Sequence, residues 1–107
     1  MAPPHGEFLV AYESTRPVAC GGWKTLAPGV VEIKRMFVHP EARGRGYGRS
    51  ILLALEDAAR RLGHRRVLLD TAAPLDEAVA LYLSAGYRAI DPYNDNPCAA
   101  RWFAKVW

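Results

Sequence analysis

The sequence predicts an α/β (α+β) fold in which helices cover a mixed central β-sheet. Three observations predict it: short apolar segments separated by turn residues open the chain, an amphipathic helical pattern follows, and a continuous apolar run comes directly after it. A strand, a helix and a strand in that order form a right-handed parallel crossover. The 107 residues are 50% hydrophobic and 23% charged, which is typical of one globular domain, residues 1–107.

The first two strands are predicted from apolar segments and turn residues. Residues 7–12 and 17–23 form a hairpin around a polar turn at residues 13–16. The sequence Cys-Gly-Gly at residues 20–22 weakens the second strand and favours a β-bulge there. The hairpin therefore supplies an antiparallel edge of the sheet.

The third strand spans residues 30–38 and follows a Pro-Gly turn at residues 28 and 29. Its alternation places one set of side chains together: Val31, Ile33, Arg35 and Phe37. Three apolar residues run together at residues 36–38, which predicts a bulge or a change of burial near the end of the strand.

The clearest helix is predicted over residues 46–62. Apolar residues from Ile51 to Leu62 recur at spacings of four, three and four, which is the period of one helix face. Gly63 supplies a natural stop. The apolar run at residues 66–70 is typical of a parallel strand that is buried on both faces.

A second helix is predicted to open at Pro74 and to end at Gly86. Residues 87–90 form a short strand, and residues 100–107 form the last strand after a polar loop at residues 91–97. The element order is therefore βββ-α-β-α-β-β. The hairpin and the closing strands are antiparallel, and the pair in the middle is parallel.

Composition and charge exclude several classes of protein. No apolar run approaches the ~20 residues needed to cross a bilayer, so no membrane association is expected. Cys20 and Cys98 lack metal-ligand spacing, and His39 and His64 lack neighbouring ligands, so no metal is expected. Two cysteines are also too few for a disulfide framework, so we expect a cytoplasmic protein. The net charge of +3 suits a polyphosphate ligand as well as nucleic acid. No motif combines aromatic and basic residues, so no nucleic-acid partner is expected.

The most informative segment joins the third strand to the first helix. Between residues 43 and 49, three glycines alternate with larger residues, three of which are arginines. Glycine lets backbone N–H groups approach an anion closely, and a helix N-terminus adds favourable electrostatics. The segment indicates pyrophosphate binding, with a flexible turn that carries solvated arginines as the alternative.

Two other glycine-rich phosphate loops are excluded. A Walker A loop requires a lysine after its last glycine, and none follows here. A Rossmann fingerprint requires Gly-x-Gly-x-x-Gly, but counting from Gly44 or Gly46 places Arg49 or Ile51 at the last position. If this segment binds a pyrophosphate, its glycine pattern is therefore neither of the Walker A type nor of the Rossmann type.

Two separated motifs match one known family. Arg43-Gly44-Arg45-Gly46-Tyr47-Gly48 fits the pattern Arg/Gln-x-x-Gly-x-Gly/Ala, and residues 78–87 fit a helix that ends in Leu-Tyr-x-x-x-Gly-Phe/Tyr. Together they resemble the GNAT superfamily of acyl-CoA-dependent N-acetyltransferases, over residues 7–107. The resemblance implies a GNAT-like fold and transfer of an acetyl group from acetyl-CoA, as co-substrate, to the primary amine of a small molecule or peptide.

The resemblance implies which residues hold acetyl-CoA. Amides of the glycine-rich loop would bind the pyrophosphate, and the end of the third strand would pair with pantetheine in a V that opens toward the strand at residues 66–70. The amide of Val38 is the implied oxyanion donor. The implied cofactor-binding residues are Met36, Phe37, Val38, Arg43, Gly44, Arg45, Gly46, Tyr47, Gly48 and Arg49.

The resemblance also implies catalytic residues. Tyr82 matches a tyrosine that can protonate the departing thiolate, with core packing as the alternative. Glu32 and Asp70 lie where family members carry a carboxylate base, and Glu32 is slightly preferred. Either carboxylate could instead pair with Lys34 or an arginine. No cysteine is placed as a relay, so direct attack in a ternary complex is expected.

Two departures from the family pattern bear on this interpretation. Leu75 stands where many members carry an asparagine that contacts the cofactor. Only six residues precede the first strand, whereas the family usually carries a strand and helices that wall the acceptor site. The missing strand and helices favour the alternative of a CoA-binding or protein-interaction module with little turnover. The missing first strand also exposes the edge of the strand at residues 7–12, which predicts a homodimer or a required partner, with residues 101–107 packed across that contact.

Overall fold

The computed structural model describes residues 6–72 and 76–107. Its elements are strands β1 (Gly6–Glu13), β2 (Arg16–Ala27) and β3 (Val30–Val38), helix α1 (Tyr47–Arg61), strand β4 (Arg66–Thr71), helix α2 (Asp76–Ser84), and strands β5 (Arg88–Ile90) and β6 (Arg101–Val106). The mixed α/β class and the element order are confirmed. The predicted helix start at Pro74, and Leu75, lie outside the described residues.

One six-stranded sheet has the order β1-β2-β3-β4-β6-β5. β3 and β4 are parallel, and every other neighbouring pair is antiparallel. α1 connects the parallel pair, as the crossover rule predicts. β6 inserts between β4 and β5 and therefore occupies an interior position.

β3 contains an extra residue at Arg35. Between the pairs Cys20–Phe37 and Gly22–Lys34, β3 advances three residues and β2 advances two. Arg35 accommodates the additional step with a φ of 59°. The bulge or change of burial predicted near the end of the third strand is confirmed, directly before residues 36–38. The bulge predicted within the second strand lies instead in the strand opposite.

The bulge changes which side chains of β3 face the core. Val31 and Ile33 are buried, as predicted. After the bulge, Met36 and Val38 pack against the core and Phe37 is exposed. The shared face predicted from Val31 to Phe37 is therefore wrong beyond Ile33, because one extra residue reverses the alternation.

The hydrophobic core lies between α1 and the covered face of the sheet. Leu52, Leu55 and Ala59 of α1 are completely buried and share one cluster with Trp23 and Phe103 of the sheet. Burial of one leucine side chain stabilises a fold by about 1.5–3 kcal/mol. This packing fixes α1, and with it the N-terminus of α1, relative to the sheet.

A buried polar network joins α1 to the C-terminal part of the chain. The carboxylate of Glu56 accepts hydrogen bonds from Tyr87 at 2.9 Å, Lys105 at 2.7 Å and Trp107 at 3.2 Å. Lys105 Nζ also donates to the carbonyl of Ala85 at 2.7 Å. The network holds the segment after α2 against α1.

The opposite face of the sheet is open along β1. Phe8, Val10 and Tyr12 are exposed, because they alternate with side chains that pack against the core. β1 is an edge strand, and β6 lies four positions away in the same sheet. The packing of residues 101–107 across the β1 edge of a second copy stays a prediction. Within residues 6–72 and 76–107, none of the helices has the length and apolar character of a membrane span.

Candidate active site

β3 and β4 separate in the middle of the sheet. Their parallel pairing ends at Ile33 opposite Leu69. Beyond that point β3 continues beside β2 to Val38, and β4 continues beside β6 to Thr71. The two strands thus form the V-shaped opening that the sequence predicts.

Backbone groups of Val38 face this opening. The N–H of His39 donates to the carbonyl of Val18 on β2 at 2.7 Å. Successive residues of an extended strand direct their polar groups to opposite edges, so the N–H and C=O of Val38 point away from β2. Nε of Arg43 donates to the carbonyl of Val38 at 3.3 Å. The N–H of Val38 is therefore directed toward the opening.

The glycine-rich loop (residues 43–49) leads into the N-terminus of α1. Gly44 and Gly46 have φ values of 82° and 83°, a left-handed conformation that costs a residue with a Cβ about 1 kcal/mol. The N–H of Ser50 donates to the carbonyl of Gly46 at 3.0 Å, so the three preceding N–H groups lie before the first helical bond. No side chain in the described part of the chain caps this terminus. The loop offers these N–H groups to an anion.

A groove of about 590 Å³ joins the opening to the glycine-rich loop. The end of β3, the loop, Thr71 and part of α2 line it. Every residue predicted to bind the cofactor lines this groove except Arg45. Thr71, Ala78 and Leu81 also line it and were not predicted, because small and apolar residues carry no chemical signal in a sequence.

The side chain of Arg45 is engaged outside the groove. Its Nη1 lies 2.6 Å from Oε2 of Glu13 on β1, and the hydroxyl of Tyr47 donates to the same oxygen at 2.8 Å. The Tyr47 hydrogen bond and then Arg45 hold the pKa of Glu13 below its usual value. The same hydrogen bond raises the pKa of Tyr47. The charge of Arg45 is therefore directed to Glu13 and away from the groove.

Another arginine spans two sides of the groove. Nη1 of Arg49, in the first turn of α1, donates to the hydroxyl of Ser84 at the end of α2 at 2.9 Å. That hydroxyl donates in turn to the carbonyl of Leu81 at 2.9 Å. The contact links the N-terminus of α1 to the helix that carries the second sequence motif.

Tyr82 lies on α2 and lines the groove. Its ring packs against Tyr87, with centroids 5.8 Å apart, and against Phe103 at 5.6 Å. Burial raises the pKa of Tyr82 to about 12, so its phenol is protonated throughout the neutral range. The residue thus belongs both to the core and to the groove.

Glu32 and Asp70 lie together on the face of the sheet opposite α1, and we call them the acid pair. Their side chains are only 4% and 8% exposed. Nζ of Lys34 lies 3.4 Å from Glu32 and 3.6 Å from Asp70, and Nζ of Lys24 lies 3.7 Å from Glu32. The two alternative bases thus form one cluster, and neither of them lines the groove.

The β5–β6 loop (residues 91–100) supplies further partners to the acid pair. The hydroxyl of Tyr93 donates to Glu32 at 2.7 Å. The side-chain amides of Asn94 and Asn96 donate to Asp70 at 2.7 Å and 3.4 Å. The sequence marks this segment only as a polar loop, so its place over the acid pair could not be predicted. Across the described ranges, no three His, Cys, Asp or Glu side chains are grouped to hold a metal ion.

The sequence of this chain matches a known protein family. Residues 1–87 match the family model of the acetyltransferase (GNAT) family. The chain belongs to the GNAT family. The two motifs recognised in the sequence are therefore GNAT motifs, on the elements where the structure places them.

Relatives of this GNAT protein carry the names of acetyltransferases. An uncharacterized N-acetyltransferase of Schizosaccharomyces pombe is 37% identical over 97 residues, which cover 89% of this chain and 60% of the relative. The IAA acetyltransferase of Azospirillum brasilense is 39% identical over 101 residues, which cover 91% of this chain and 66% of the relative. The chain thus spans less than two thirds of the length of either relative.

Solved GNAT structures share this fold. A GNAT acetyltransferase from Staphylococcus aureus superposes with a TM-score of 0.86 at 19% identity, covering 94% of this chain and 68% of that one. PaiA N-acetyltransferase of Thermoplasma acidophilum, in complex with coenzyme A, superposes with a TM-score of 0.83 at 19% identity, covering 96% and 62%. The GNAT-like fold is confirmed.

The GNAT family uses acetyl-CoA, and the residues of this site fit such a ligand. A pyrophosphate requires closely spaced N–H donors, which the uncapped N-terminus of α1 and its two left-handed glycines offer. A pantetheine amide requires an open strand edge, which β3 offers beyond Ile33. Both features lie in one groove.

Proposed function

We propose that this protein is an acyl-CoA-dependent N-acetyltransferase that moves an acetyl group from acetyl-CoA to a primary amine by direct attack in a ternary complex. The observation that carries the proposal is one groove lined by the N-terminus of α1, by Val38 and by Tyr82. These three features supply an anion site, an N–H donor and a phenol. We propose residues 1–107 as one domain, because strands from both ends of the described chain share the sheet.

The glycine-rich loop is proposed to bind the pyrophosphate of acetyl-CoA through backbone N–H groups between Arg43 and Arg49. A hydrogen bond to a charged acceptor contributes about 1.5–3 kcal/mol, so a few of them suffice for a stable complex. The positive end of the α1 dipole adds to this attraction. Acetyl-CoA supplies the acetyl group already activated as a thioester.

The end of β3 is proposed to hold the pantetheine arm. Residues 36–38 have no β4 neighbour, so an extended ligand can pair with their backbone. The N–H of Val38 is the proposed oxyanion donor, since it is directed into the opening. Removal of one such donor typically costs about 10²–10³ in kcat.

Tyr82 is the proposed hydrogen-bond donor to the departing sulfur. Its pKa of about 12 exceeds that of an ordinary thiol, ~8.5, by three to four units. Full proton transfer to a free thiolate would be uphill by about 4–5 kcal/mol. We therefore assign to Tyr82 a hydrogen bond to the sulfur that strengthens as charge develops there. The departing thiolate then takes its proton from water, and Tyr82 keeps its own.

The acid pair is the proposed source of the general base. An acceptor ammonium must lose a proton before its nitrogen can attack. Glu32 and Asp70 remain alternatives, with Glu32 slightly preferred because it lies on the strand that ends at the proposed oxyanion donor. Since neither lines the groove, the base would act through intervening water.

A second candidate function is a CoA-binding or protein-interaction module with little turnover. The observation that favours it is the same separation of the acid pair from the groove. Both functions require the anion-binding loop, and only the enzyme requires a base and a proton donor. Amine-dependent turnover therefore separates them.

The deciding experiment incubates the protein with acetyl-CoA and a panel of small amines, amino acids and peptides and measures free thiol. Calorimetry of CoA binding runs in parallel. We expect CoA binding together with thiol release that depends on the amine. Binding without amine-dependent release would establish the module, and absence of binding would contradict both functions.

We also propose a cytoplasmic location and a homodimer. Cys20 and Cys98 are free thiols, as is usual in a reducing compartment. The open edge of β1 can pair with a second copy about Val10, which would set Phe8 opposite Tyr12 in an apolar strip. Light scattering at micromolar concentration should give twice the chain mass, and a monomer would remove the dimer from the proposal.

A further inference from the structure

Tyr93 reaches from the β5–β6 loop to Glu32 on the open face of the sheet. Its half-buried side chain donates a hydrogen bond of 2.7 Å to Oε2 of the carboxylate. We propose that Tyr93 is a positioning residue that holds Glu32 in its ionised form and thereby sets the pH range in which Glu32 accepts a proton. The inference rests on the proposed function, with Glu32 as the base.

Charged groups from three strands surround Glu32. Lys24 on β2 lies at 3.7 Å and Lys34 on β3 at 3.4 Å, and Lys34 is shared with Asp70 on β4. Two ammonium groups therefore balance two carboxylates, at distances longer than a strong hydrogen bond. Tyr93 supplies the hydrogen bond of standard length.

The phenol is a dependable donor in this position. Burial, and after it the hydrogen bond to Glu32, raises the pKa of Tyr93 well above its usual value. Tyr93 therefore stays protonated across the neutral range. A hydrogen bond donated to a carboxylate favours its ionised form.

Hydrogen bonds within the β5–β6 loop and to β6 fix the position of the loop that carries Tyr93. Oδ1 of Asn94 accepts from Nε1 of Trp102 on β6 at 3.0 Å and from the N–H of Asn96 at 3.2 Å. Oδ1 of Asn96 accepts from the N–H of Cys98 at 3.0 Å. The loop is thus tied both to itself and to β6, the strand beside β4.

A purely structural tyrosine would behave differently from a positioning residue. Loss of a structural hydrogen bond lowers the melting temperature and leaves the pH dependence of turnover in place. Loss of a hydrogen bond to the base shifts that pH dependence. The direction of the shift follows from the chemistry. Without the Tyr93 donor the carboxylate is protonated more easily, so activity is lost at a higher pH as the solution is acidified.

The experiment compares Tyr93→Phe with Tyr12→Phe, a matched loss of an exposed phenol on the same face. For each variant, kcat/KM is measured from pH 3 to 9, a range that includes the ordinary titration of a glutamate, with an amine that the wild type accepts. The carboxyl resonance of Glu32 is followed by ¹³C NMR over the same range and is assigned by its loss in Glu32→Gln. The NMR titration needs no turnover.

We expect Tyr93→Phe to move the acid midpoint of kcat/KM, and the NMR midpoint of Glu32, upward by about one pH unit, a tenfold change. Tyr12→Phe should move neither. An active Tyr93→Phe enzyme with an unmoved acid limb would overturn the inference. If no amine is acetylated, the proposed function fails, and the inference about Tyr93 is then tested by the NMR midpoint of Glu32 alone. An upward shift of that midpoint in Tyr93→Phe supports the inference. An unchanged midpoint overturns it.

Discussion

Arg45 and Glu13 form an ion pair, 2.6 Å between Nη1 and Oε2, that ties the glycine-rich loop to the first hairpin. Tyr47 binds the same carboxylate, so two neighbouring loop positions are anchored to β1. The charge of Arg45 is thereby neutralised by Glu13. Arg43, whose exposed side chain lines the groove, is the arginine that we expect to serve an anionic ligand.

Arg43→Ala and Arg45→Ala should therefore differ in their effect on CoA binding. Removing Arg43 takes a cation from the groove and should weaken CoA binding about tenfold, the order of one charge-assisted hydrogen bond. Removing Arg45 should weaken it less than about threefold, since its charge is already paired. Calorimetric titration with CoA gives both values. A larger loss for Arg45→Ala would mean that the pair with Glu13 opens when the ligand binds.

Gly46→Ala should weaken CoA binding while the protein stays folded. Gly46 and Gly29 have φ values of 83° and 74°, and a Cβ at either position meets no described atom within 4 Å. Each alanine should lower the free energy of unfolding by about 1 kcal/mol through backbone strain. Only Gly46 lies in the loop, so only its replacement should reduce CoA affinity, by tenfold or more. Equal affinities for the two variants would contradict pyrophosphate binding at the loop.

Tyr82→Phe should lower kcat by ~10²-fold while CoA affinity stays within about twofold. The phenyl ring preserves the packing against Tyr87 and Phe103, so the lost hydroxyl is the main change. Tyr87→Phe is the matched control, because its hydroxyl binds Glu56 away from the groove. Stopped-flow measurement of thiol release gives kcat for both. Unchanged turnover in Tyr82→Phe would make Tyr82 a packing residue.

The stability of the protein should fall at alkaline pH, in part because of Tyr82. Its pKa is raised from 10 to about 12 in the folded state, so its contribution is complete below pH 10 and is lost as the pH rises toward 12. Two units correspond to about 2.7 kcal/mol. Denaturant unfolding at pH 9 and pH 12 should show a steeper loss for the wild type than for Tyr82→Phe. Equal losses would show that Tyr82 titrates normally in the folded state.

Local signals in the sequence predict the elements of this fold well. The helix predicted over residues 46–62 is α1 with its two caps, Gly46 and Leu62, because glycines and apolar periodicity act within one or two turns. The glycine-rich loop and Tyr82 line one groove. The loop follows β3 and the helix that carries Tyr82 comes after β4, and these two strands are the parallel pair of the predicted crossover. Motifs placed by adjacent elements can therefore be read from a sequence.

Features that depend on distant partners could not be predicted. Arg45 meets Glu13 across 32 positions of the chain, and Tyr93 meets Glu32 across 61. The sequence predicts a bulge or a change of burial near residues 36–38, but the position of the extra residue at Arg35 is set by pairing with β2. Nothing in the local composition of these segments specifies such contacts.

The interior place of β6 has a consequence for synthesis on the ribosome. β1 to β4 can pair as they emerge, since each neighbours a strand that has already been made. β5 has no partner until residues 101–106 are translated, and until then β4 presents a bare edge. The sheet of the nascent chain is thus unfinished until residues 101–106 have emerged, and β6 completes it by inserting between β4 and β5. A chaperone that shields β4 during that interval would raise the yield of folded protein more than one that shields β1.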